Sequence, residues 1–382
     1  MRAGAAPAPG DGQGRSGSPY TPRLIFWEVT KGCNLRCAHC RAEPLAFRPP
    51  EDLSTAAALR LIEAIAARAK PVLVFSGGEP LYRRDLFELA RHAGRQGLLP
   101  ALATNGTLIT AALAEQVVGA GFRRVSISLD GATAATHDAF RRMPGAFERA
   151  VRGLLCLKAL GMSLQINTTL TRHNVRELPA ILDLAEQLGA DALHLFMLVP
   201  VGCGLTLDEG ERLPAEAYEE ILTWFYDQEQ VRPLQLKATC APHYFRIMRQ
   251  RAAARGEPLP ASYGRQLHMG AAHQSLHSMT KGCLAGTGIC FISHRGEVFP
   301  CGYLPVSAGD AARQPFGEIW DHSPVFRALR DPGLLKGKCG RCEFKQICEG
   351  CRARAYAQTG DYLDEEPYCL YQPAVSLAAG QA

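Results

Sequence analysis

The sequence predicts an α/β protein built from two parts, a parallel sheet of strand–helix units and a smaller cysteine-rich domain. Short apolar runs alternate with longer segments of helical period from Arg23 to about residue 200, which is the pattern of repeated strand–helix units. The alternation stops beyond that point, and eight of the 14 cysteines fall between Cys283 and Cys369. These observations place the sheet domain first and the cysteine-rich domain after it.

The composition is that of a globular protein, and it gives no sign of a nucleic-acid or membrane partner. Hydrophobic residues make up 47% and charged residues 21% of the 382 residues, which is ordinary for a chain long enough for two domains. The net charge of +5 is spread along the chain without a long Lys/Arg run, so we expect no nucleic-acid partner. No stretch of about 18 apolar residues occurs, so we expect no membrane span. Clustered cysteines with two-residue gaps are typical of metal ligation in a reducing compartment, which predicts a cytoplasmic protein.

The chain divides into five predicted segments. Residues 1–20 are rich in Gly, Pro, Ala and Ser and lack a signal-peptide pattern, so we expect a disordered tail. The other segments are the strand–helix domain at 21–235, a bridge at 236–281, the cysteine-rich domain at 282–375 and a second tail at 376–382.

Six strands and six helices follow one another in the first domain. Each strand is a short run dominated by apolar residues, and the strands are expected at 24–29, 72–75, 99–103, 125–129, 164–170 and 192–199. Each helix carries Ala, Leu or Ile at helical spacing, and the helices are expected at 54–69, 83–96, 110–120, 145–160, 175–188 and 214–229. Ser54 is the expected N-cap of the first helix. Six parallel strands are too few for a closed eight-stranded barrel.

Three cysteines are crowded into the loop after the first strand. Cys33, Cys37 and Cys40 are separated by three and then two residues. A site that does chemistry leaves one coordination position open, whereas a closed structural site has four protein ligands. The spacing favours a 4Fe-4S cluster with one iron left for another ligand, and a tetrahedral zinc with His39 as its fourth ligand is the alternative.

Glycines and polar residues also follow the next strands. The loops contain Gly77-Gly78 after the second strand, Asn105 after the third and Asp130 after the fourth. Ligands bind at the carboxyl ends of the strands in parallel α/β folds. Turn formation alone would explain any one of these loops, but four in succession predict a ligand site.

The cysteine triplet and the segment Gly77-Gly78-Glu79-Pro80 together resemble the radical S-adenosylmethionine (SAM) superfamily. The resemblance implies a partial (β/α)6 barrel over residues 23 to about 200. It also implies a 4Fe-4S cluster, held by Cys33, Cys37 and Cys40 as the catalytic residues, whose open iron binds the methionine part of SAM. Residues 77–80 match the segment that binds the methionyl amino group. Further implied SAM contacts are Asn105, Ser128, Asp130 and Asn167, with Thr169 as a weaker candidate.

The cysteine-rich segment resembles the SPASM extension of radical SAM enzymes, which holds up to two auxiliary 4Fe-4S clusters. The resemblance rests on a glycine before Cys301, a ladder of cysteines and one late cysteine. It assigns Cys283, Cys290, Cys301 and Cys351 to the first auxiliary cluster, and Cys339, Cys342, Cys348 and Cys369 to the second. Cys348 and Cys351 enclose one residue fewer than the family pattern, and Cys339 and Cys342 could equally be half of a zinc ribbon.

Further motifs resemble the heme-forming radical SAM decarboxylases of the siroheme-dependent pathway. They lie at residues 199–204, 238–243, 290–293 and 351–356. The resemblance implies that two propionates of iron-coproporphyrin III are oxidatively decarboxylated to vinyl groups, giving protoheme. It also implies an electron donor such as ferredoxin or flavodoxin and an unidentified electron acceptor. The alternatives are a SPASM maturase that modifies a peptide and a related enzyme acting on a siroheme-derived tetrapyrrole. A non-enzymatic zinc-ribbon or electron-transfer protein is disfavoured, because it would not explain the open three-cysteine site.

Six other residues lie near these motifs and have two interpretations each. The arginines Arg41, Arg352 and Arg354 are either propionate partners or structural residues. The other three are Cys203, Cys240 and His243. In the functional interpretation they approach the substrate iron or carry a proton, and in the structural one they are buried residues of the fold.

Overall fold

A single mixed sheet runs through both parts of the chain in the computed structural model, which describes residues 19–258 and 281–374. Its strands are β1 (Leu24–Glu28), β2 (Val72–Ser76), β3 (Leu99–Thr104), β4 (Arg124–Ser128), β5 (Leu164–Leu170), β6 (Ala192–Met197), β7 (Gln235–Thr239), β8 (Ile289–Ile292), β9 (Glu297–Phe299) and β10 (Gly309–Asp310). Their order in the sheet is β10-β9-β8-β1-β2-β3-β4-β5-β6-β7. The strands from β8 to β7 pair in parallel, and β9 and β10 pair antiparallel. The predicted α/β class is confirmed.

Helices connect the strands and cover one face of the sheet. They are α1 (Thr55–Arg68), α2 (Leu86–Arg95), α3 (Ala111–Gly119), α4 (Ala134–Arg141), α5 (Ala146–Ala159), α6 (Leu178–Gln187), α7 (Ala215–Val231) and α8 (Tyr244–Arg255). The second part adds α9 (Phe316–His322), α10 (Pro324–Leu329), α11 (Gly337–Arg341) and α12 (Arg352–Thr359). Ser54 caps α1 as predicted, since its side chain accepts a hydrogen bond from the Ala57 N–H at 3.3 Å.

Alternation along the strands separates the hydrophobic core from the site. In β1, Ile25 and Trp27 are fully buried in the main core beneath the helices. Leu24 and Phe26 point to the other face, where they line a cavity. This period-two pattern means that each strand contributes to the core and to the cavity at once.

The parallel sheet extends beyond the six predicted strands at both edges. At one edge, β7 pairs with β6 through Leu195 and Ala238, although residues from 236 onward were expected to form a bridge. Its five residues QLKAT alternate apolar and polar side chains, too short a pattern to stand out in the sequence. Helix α8 also lies in the expected bridge, and residues 259–280 of that bridge lie outside the described part. Helix α4 was not predicted, because Thr136, His137 and Asp138 interrupt its apolar positions.

The cysteine-rich part joins the other edge of the sheet. Strand β8 pairs in parallel with β1, with Phe26 opposite Phe291. An ion pair between Arg68 on α1 and Asp321 on α9, at 2.8 Å, fastens the helices of the two parts together. The two parts therefore share one sheet, which brings the cysteines of both to the same cavity. Among the helices of the described residues, none is long and apolar enough to cross a membrane.

Candidate active site

A cavity of about 420 Å³ lies against the face of the sheet that the helices leave open. It brings together most of the predicted site residues, which are far apart in the sequence. The predicted residues that line it are Cys33, Cys37, Cys40, Gly77, Gly78, Asn105, Ser128, Asn167, Thr169, Cys283, Cys301 and Cys351. The cavity therefore has thiols from the loop after β1 and from the cysteine-rich part in its walls.

The three loop thiols are free and largely withdrawn from solvent. Cys33 and Cys37 are buried, and Cys40 is half-buried. Burial raises the pKa of Cys33 to about 12, and the charges of Cys37 and Cys40 contribute to the increase. Three such thiols are ionised together only beside a strong positive charge, which a bound iron cluster provides. The Arg141 guanidinium already donates to Cys37 Sγ at 3.6 Å, so the donor set fits a 4Fe-4S cluster.

His39 keeps one ring nitrogen, Nδ1, without a hydrogen-bond partner in the described part of the chain, while the other ring nitrogen is engaged. Its Nε2 lies 3.2 Å from a carboxylate oxygen of Asp130, and its ring stacks on Phe140 at 4.1 Å. Within residues 19–258 and 281–374, no three His, Cys, Asp or Glu side chains form a group that could hold a single metal ion. Three thiols in one loop fit a 4Fe-4S cluster with one open iron better than a closed four-ligand zinc site.

Asp130 does not reach the cavity, which corrects the expectation that it contacts the SAM ribose. Its carboxylate is fully buried, lies 2.5 Å from Arg141 Nη2 and accepts a hydrogen bond from the Thr169 N–H at 2.7 Å. Although burial opposes ionisation, Arg141 and His39 hold the pKa of Asp130 well below its usual range. Asp130 therefore ties the cysteine loop to α4 and β5, while Ser128 two residues earlier lines the cavity.

The paired glycines pack directly against the cysteine loop. Gly77 has a φ of +148°, and a Cβ there would lie 2.4 Å from the Thr30 carbonyl oxygen. A Cβ on Gly78 would lie 2.3 Å from the Gly32 carbonyl oxygen. Only glycine fits at these two positions, and the segment can therefore approach a ligand held by the cysteine loop.

Glu79 and Pro80 lie outside the cavity lining. The Glu79 carboxylate accepts hydrogen bonds from Thr104 Oγ1 at 2.7 Å, the Asn105 N–H at 2.8 Å and the Leu81 N–H at 3.2 Å. Complete burial raises the pKa of Glu79 to about 7. Glu79 thus fixes the loops after β2 and β3 to each other, and the glycines present the backbone to the cavity.

Cys290 is not with the other three thiols of its predicted group, which corrects that assignment. It lies on β8 opposite Ile25 of β1 and is fully buried in the main hydrophobic core. Its neighbours in β8, Ile289 and Phe291, line the cavity instead. Because side chains alternate along a strand, Cys290 points to the helix-covered face.

The second predicted group of thiols is brought together. Cys339, Cys342, Cys348 and Cys369 line a separate small cavity. Two of the sulfurs accept hydrogen bonds from backbone N–H groups. The Phe344 N–H donates to Cys342 Sγ at 3.4 Å, and the Glu366 N–H donates to Cys339 Sγ at 3.3 Å. Four thiols with N–H donors around them fit a fully ligated 4Fe-4S cluster.

Arg352 and Arg354 make hydrogen bonds within the cysteine-rich part. Arg352 donates to the backbone carbonyls of Tyr362 and Asp364 at 3.0 and 2.6 Å. Arg354 pairs with Glu366 at 2.8 Å, and both side chains are fully buried. Arg41 and Arg352 both line the cavity, where Arg41 pairs with Glu28 at 3.2 Å.

Cys203, His243 and Cys240 lie in three different settings. Cys203 lies beside the loop cysteines, and its thiol donates to the Ala42 carbonyl at 3.2 Å. His243 is fully buried at the start of α8, outside the cavity lining. Cys240 lines the cavity.

Several polar residues of the cavity were not predicted from the sequence. They are Arg124, Gln165, His194, Lys237 and Tyr303. One signal could have revealed Lys237. In β7, Lys237 and Thr239 alternate with the buried residues Leu236 and Ala238, which is the pattern of a half-buried strand.

Replacing Arg354 with methionine should lower the free energy of unfolding by about 3–5 kcal/mol, because Glu366 would remain as an unpaired buried charge. Denaturation of the anaerobic protein measures the change. Arg341→Met, at an exposed position on α11, is the control and should stay within about 0.5 kcal/mol of the unmodified protein. Equal stability of the two variants would contradict a structural role for the Arg354–Glu366 pair.

The comparisons with known proteins agree with this geometry. Residues 27–185 match the model of the radical SAM superfamily, and residues 283–352 match that of the SPASM iron-sulfur cluster-binding domain. An AdoMet-dependent heme synthase from Methanosarcina barkeri is 52% identical over 92% of this chain and 97% of its own length. One from Oleidesulfovibrio alaskensis is 48% identical over 95% of this chain and 90% of its own. The structure of Streptococcus suis SuiB bound to the precursor peptide SuiA is similar in fold, with a TM-score of 0.70 at 15% identity, covering 92% of this chain and 76% of that one.

Proposed function

Because this chain belongs to the radical SAM superfamily and shares both of its domains with the AdoMet-dependent heme synthases, we propose that it converts iron-coproporphyrin III to protoheme. Two propionate side chains would be oxidatively decarboxylated to vinyl groups. The observation that carries the proposal is a cavity with a largely apolar and a polar part, placed between the two sets of cysteines.

The chain is a radical SAM enzyme, and its cofactors are SAM and 4Fe-4S clusters. When bound, the first cluster and SAM supply a 5′-deoxyadenosyl radical, which removes hydrogen from unactivated carbon. Cys33, Cys37 and Cys40 would hold that cluster. The backbone at Gly77 and Gly78 would bind the methionyl amino group of SAM. Its other polar contacts would come from the cavity-lining residues Asn105, Ser128, Asn167 and Thr169.

One wall of the cavity suits a flat macrocycle. Ser76 and Thr104 lie at the ends of β2 and β3, and the rest of this wall is formed by apolar side chains of the first three strands. They are Leu24, Phe26, Val72, Val74, Ala101 and Ala103. A porphyrin ring buries a large apolar surface, and this wall gives it a surface to pack against.

The part of the cavity lined by β4 to β7 carries polar and positively charged side chains. They include Arg124, Ser126, Gln165, His194, Lys237 and Thr239. Burial lowers the pKa of Lys237, and within the described part of the chain no carboxylate is close enough to oppose that shift. A substrate carboxylate would supply the missing partner, because burying an ammonium is costly unless it is paired.

The reaction needs a net oxidation, which the other cysteines can support. The 5′-deoxyadenosyl radical would take a hydrogen atom from the propionate carbon next to the macrocycle and become 5′-deoxyadenosine. The remaining side chain loses carbon dioxide and one electron and becomes a vinyl group. Each step would consume one SAM and release one carbon dioxide. The cysteines around Cys351 and Cys342 would hold the groups that pass the electron to an external acceptor, while ferredoxin or flavodoxin would reduce the first cluster.

Replacing Lys237 with methionine should weaken the binding of iron-coproporphyrin III by about tenfold or more, because a charge-assisted contact with a propionate would be lost. The measurement is an anaerobic absorbance titration, with SAM binding followed in parallel. Lys70→Met is the control, since Lys70 is exposed and bonds the Gln96 carbonyl on the surface. Unchanged porphyrin affinity in Lys237→Met would remove this residue from the substrate site.

A turnover assay with several substrates tests the proposed function. The reduced, reconstituted protein is incubated with SAM, an electron acceptor and one of three compounds: iron-coproporphyrin III, a siroheme derivative or a cysteine-containing peptide. We expect a mono-vinyl intermediate and then protoheme from the first compound alone. Unchanged iron-coproporphyrin III, together with a modified siroheme derivative or peptide, would assign the enzyme to one of the alternatives.

A further inference from the structure

We propose that Cys240 is the fourth thiolate ligand of the auxiliary 4Fe-4S cluster beside the cavity, together with Cys283, Cys301 and Cys351. The sequence pattern assigns that place to Cys290, which the fold puts on the wrong face of β8. The inference rests on the SPASM domain and on the geometry of these thiols, and it does not depend on which substrate the enzyme uses.

The four thiols surround one region of the cavity wall. All four residues line the cavity, although Cys240 follows β7 and the others lie in the cysteine-rich part. They also belong to one packed cluster with Val199, Leu304 and Ala353. By contrast, Cys290 belongs neither to the cavity lining nor to this packed cluster.

The backbone at Cys240 is held in an unusual conformation. Its φ is +56°, one of three positive values among the non-glycine residues in the described part of the chain. The left-handed conformation is strained for a residue with a Cβ and persists where the surrounding structure enforces it. Glycine would avoid this strain, so a cysteine at this position indicates that its side chain is needed.

A single buried ion pair fixes the backbones of Cys240 and Cys351. Arg354 Nη2 donates to the Cys240 carbonyl at 2.6 Å, and Arg354 Nε donates to Glu366 at 2.8 Å. The other oxygen of Glu366 accepts a hydrogen bond from the Cys351 N–H at 2.6 Å. Two thiols that are 111 residues apart by number (351 − 240) are thus held by one rigid connection. Such support from neighbouring groups is typical of residues that ligate metals.

A cluster held by four thiolates has no iron left open for substrate. The first auxiliary site would then act in electron transfer, and substrate would bind between it and the SAM site without a bond to its iron. Because Cys240 follows β7 and the other three ligands lie in the cysteine-rich part, insertion of the cluster would also depend on correct packing of the two parts of the chain.

The test compares Cys240→Ala with Cys290→Val in the full-length protein after anaerobic reconstitution. Valine fills the core position of Cys290, and Cys156→Ala, a half-buried thiol on α5, is the control. We expect Cys240→Ala to contain about four fewer iron atoms per chain than the unmodified protein, or to show a 3Fe-4S electron paramagnetic resonance signal after oxidation. Cys290→Val and Cys156→Ala should retain the full iron content and the unmodified spectrum.

The opposite result would overturn the proposal. If Cys240→Ala keeps its iron and its spectrum, Cys240 is not a ligand. If Cys290→Val loses as much iron as Cys240→Ala, or more, the choice of Cys240 over Cys290 as the fourth ligand is wrong. Cys240→Ser provides a second check, because a serine oxygen can ligate iron and should retain the cluster with a shifted spectrum. An unmodified spectrum in Cys240→Ser would count against the proposal.

Discussion

Replacing Cys33, Cys37 or Cys40 with alanine should abolish the formation of 5′-deoxyadenosine under dithionite. These three thiols are the cysteines of the loop after β1, and His39, the nearest other donor in sequence, is held by Asp130 at 3.2 Å. A cluster that lacks one of these three thiolates would not bind and cleave SAM. We expect each variant to contain about four fewer iron atoms per chain and to cleave SAM at the background rate.

The control for these variants is Cys156→Ala, which should keep full iron content and full cleavage. The measurements are iron and sulfide analysis and chromatography of 5′-deoxyadenosine. Cleavage at the unmodified rate in all three loop variants would contradict the assignment of the SAM-binding cluster. A stability change alone would not explain the expected pattern, since the auxiliary iron should remain.

Replacing Cys342 or Cys348 with alanine should separate SAM cleavage from product formation. Both thiols line the small cavity that also contains Cys339 and Cys369, away from the residues that would bind SAM. We expect about four fewer iron atoms per chain and a loss of protoheme of about tenfold or more, while 5′-deoxyadenosine still forms. The physical reason is that each decarboxylation must release one electron, and this site would lie on its route.

Cys37→Ala, assayed beside these variants, gives the matched comparison, because it should lose cleavage and keep the auxiliary iron. Full iron content and full product in Cys342→Ala and Cys348→Ala would show that the small cavity holds no cluster. Loss of SAM cleavage to the level of Cys37→Ala would mean that the two sites are not independent.

Much of the fold could be predicted because its strands are strongly apolar and regularly spaced. The run 72–75 is buried on both faces and could be recognised from composition alone. Strand β7 could not, since its cavity-facing Lys237 and Thr239 interrupt a pattern of five residues. The pairing of β8 with β1 is a contact between residues about 265 positions apart, and nothing local in the sequence signals it.

The candidate site was predictable where it depends on local spacing. Cys33, Cys37 and Cys40 lie in one loop, so their spacing alone indicates that they bind the same metal group. The assignments of Asp130 and Cys290 failed because they depend on which way a side chain faces. Asp130 lies just beyond β4, and its fully buried carboxylate pairs with Arg141 and His39. Cys290 has the right spacing, but the alternation of β8 turns it into the core.

The most direct test of the proposed reaction uses iron-coproporphyrin III deuterated at the propionate carbons next to the macrocycle. Mass spectrometry of 5′-deoxyadenosine follows the label, and carbon dioxide and protoheme are quantified in the same samples. We expect one deuterium in 5′-deoxyadenosine for each vinyl group formed, with one carbon dioxide released per SAM consumed. Protoheme formation without deuterium transfer, or deuterium transfer without loss of carbon dioxide, would contradict hydrogen abstraction from the propionate as the step that this cavity promotes.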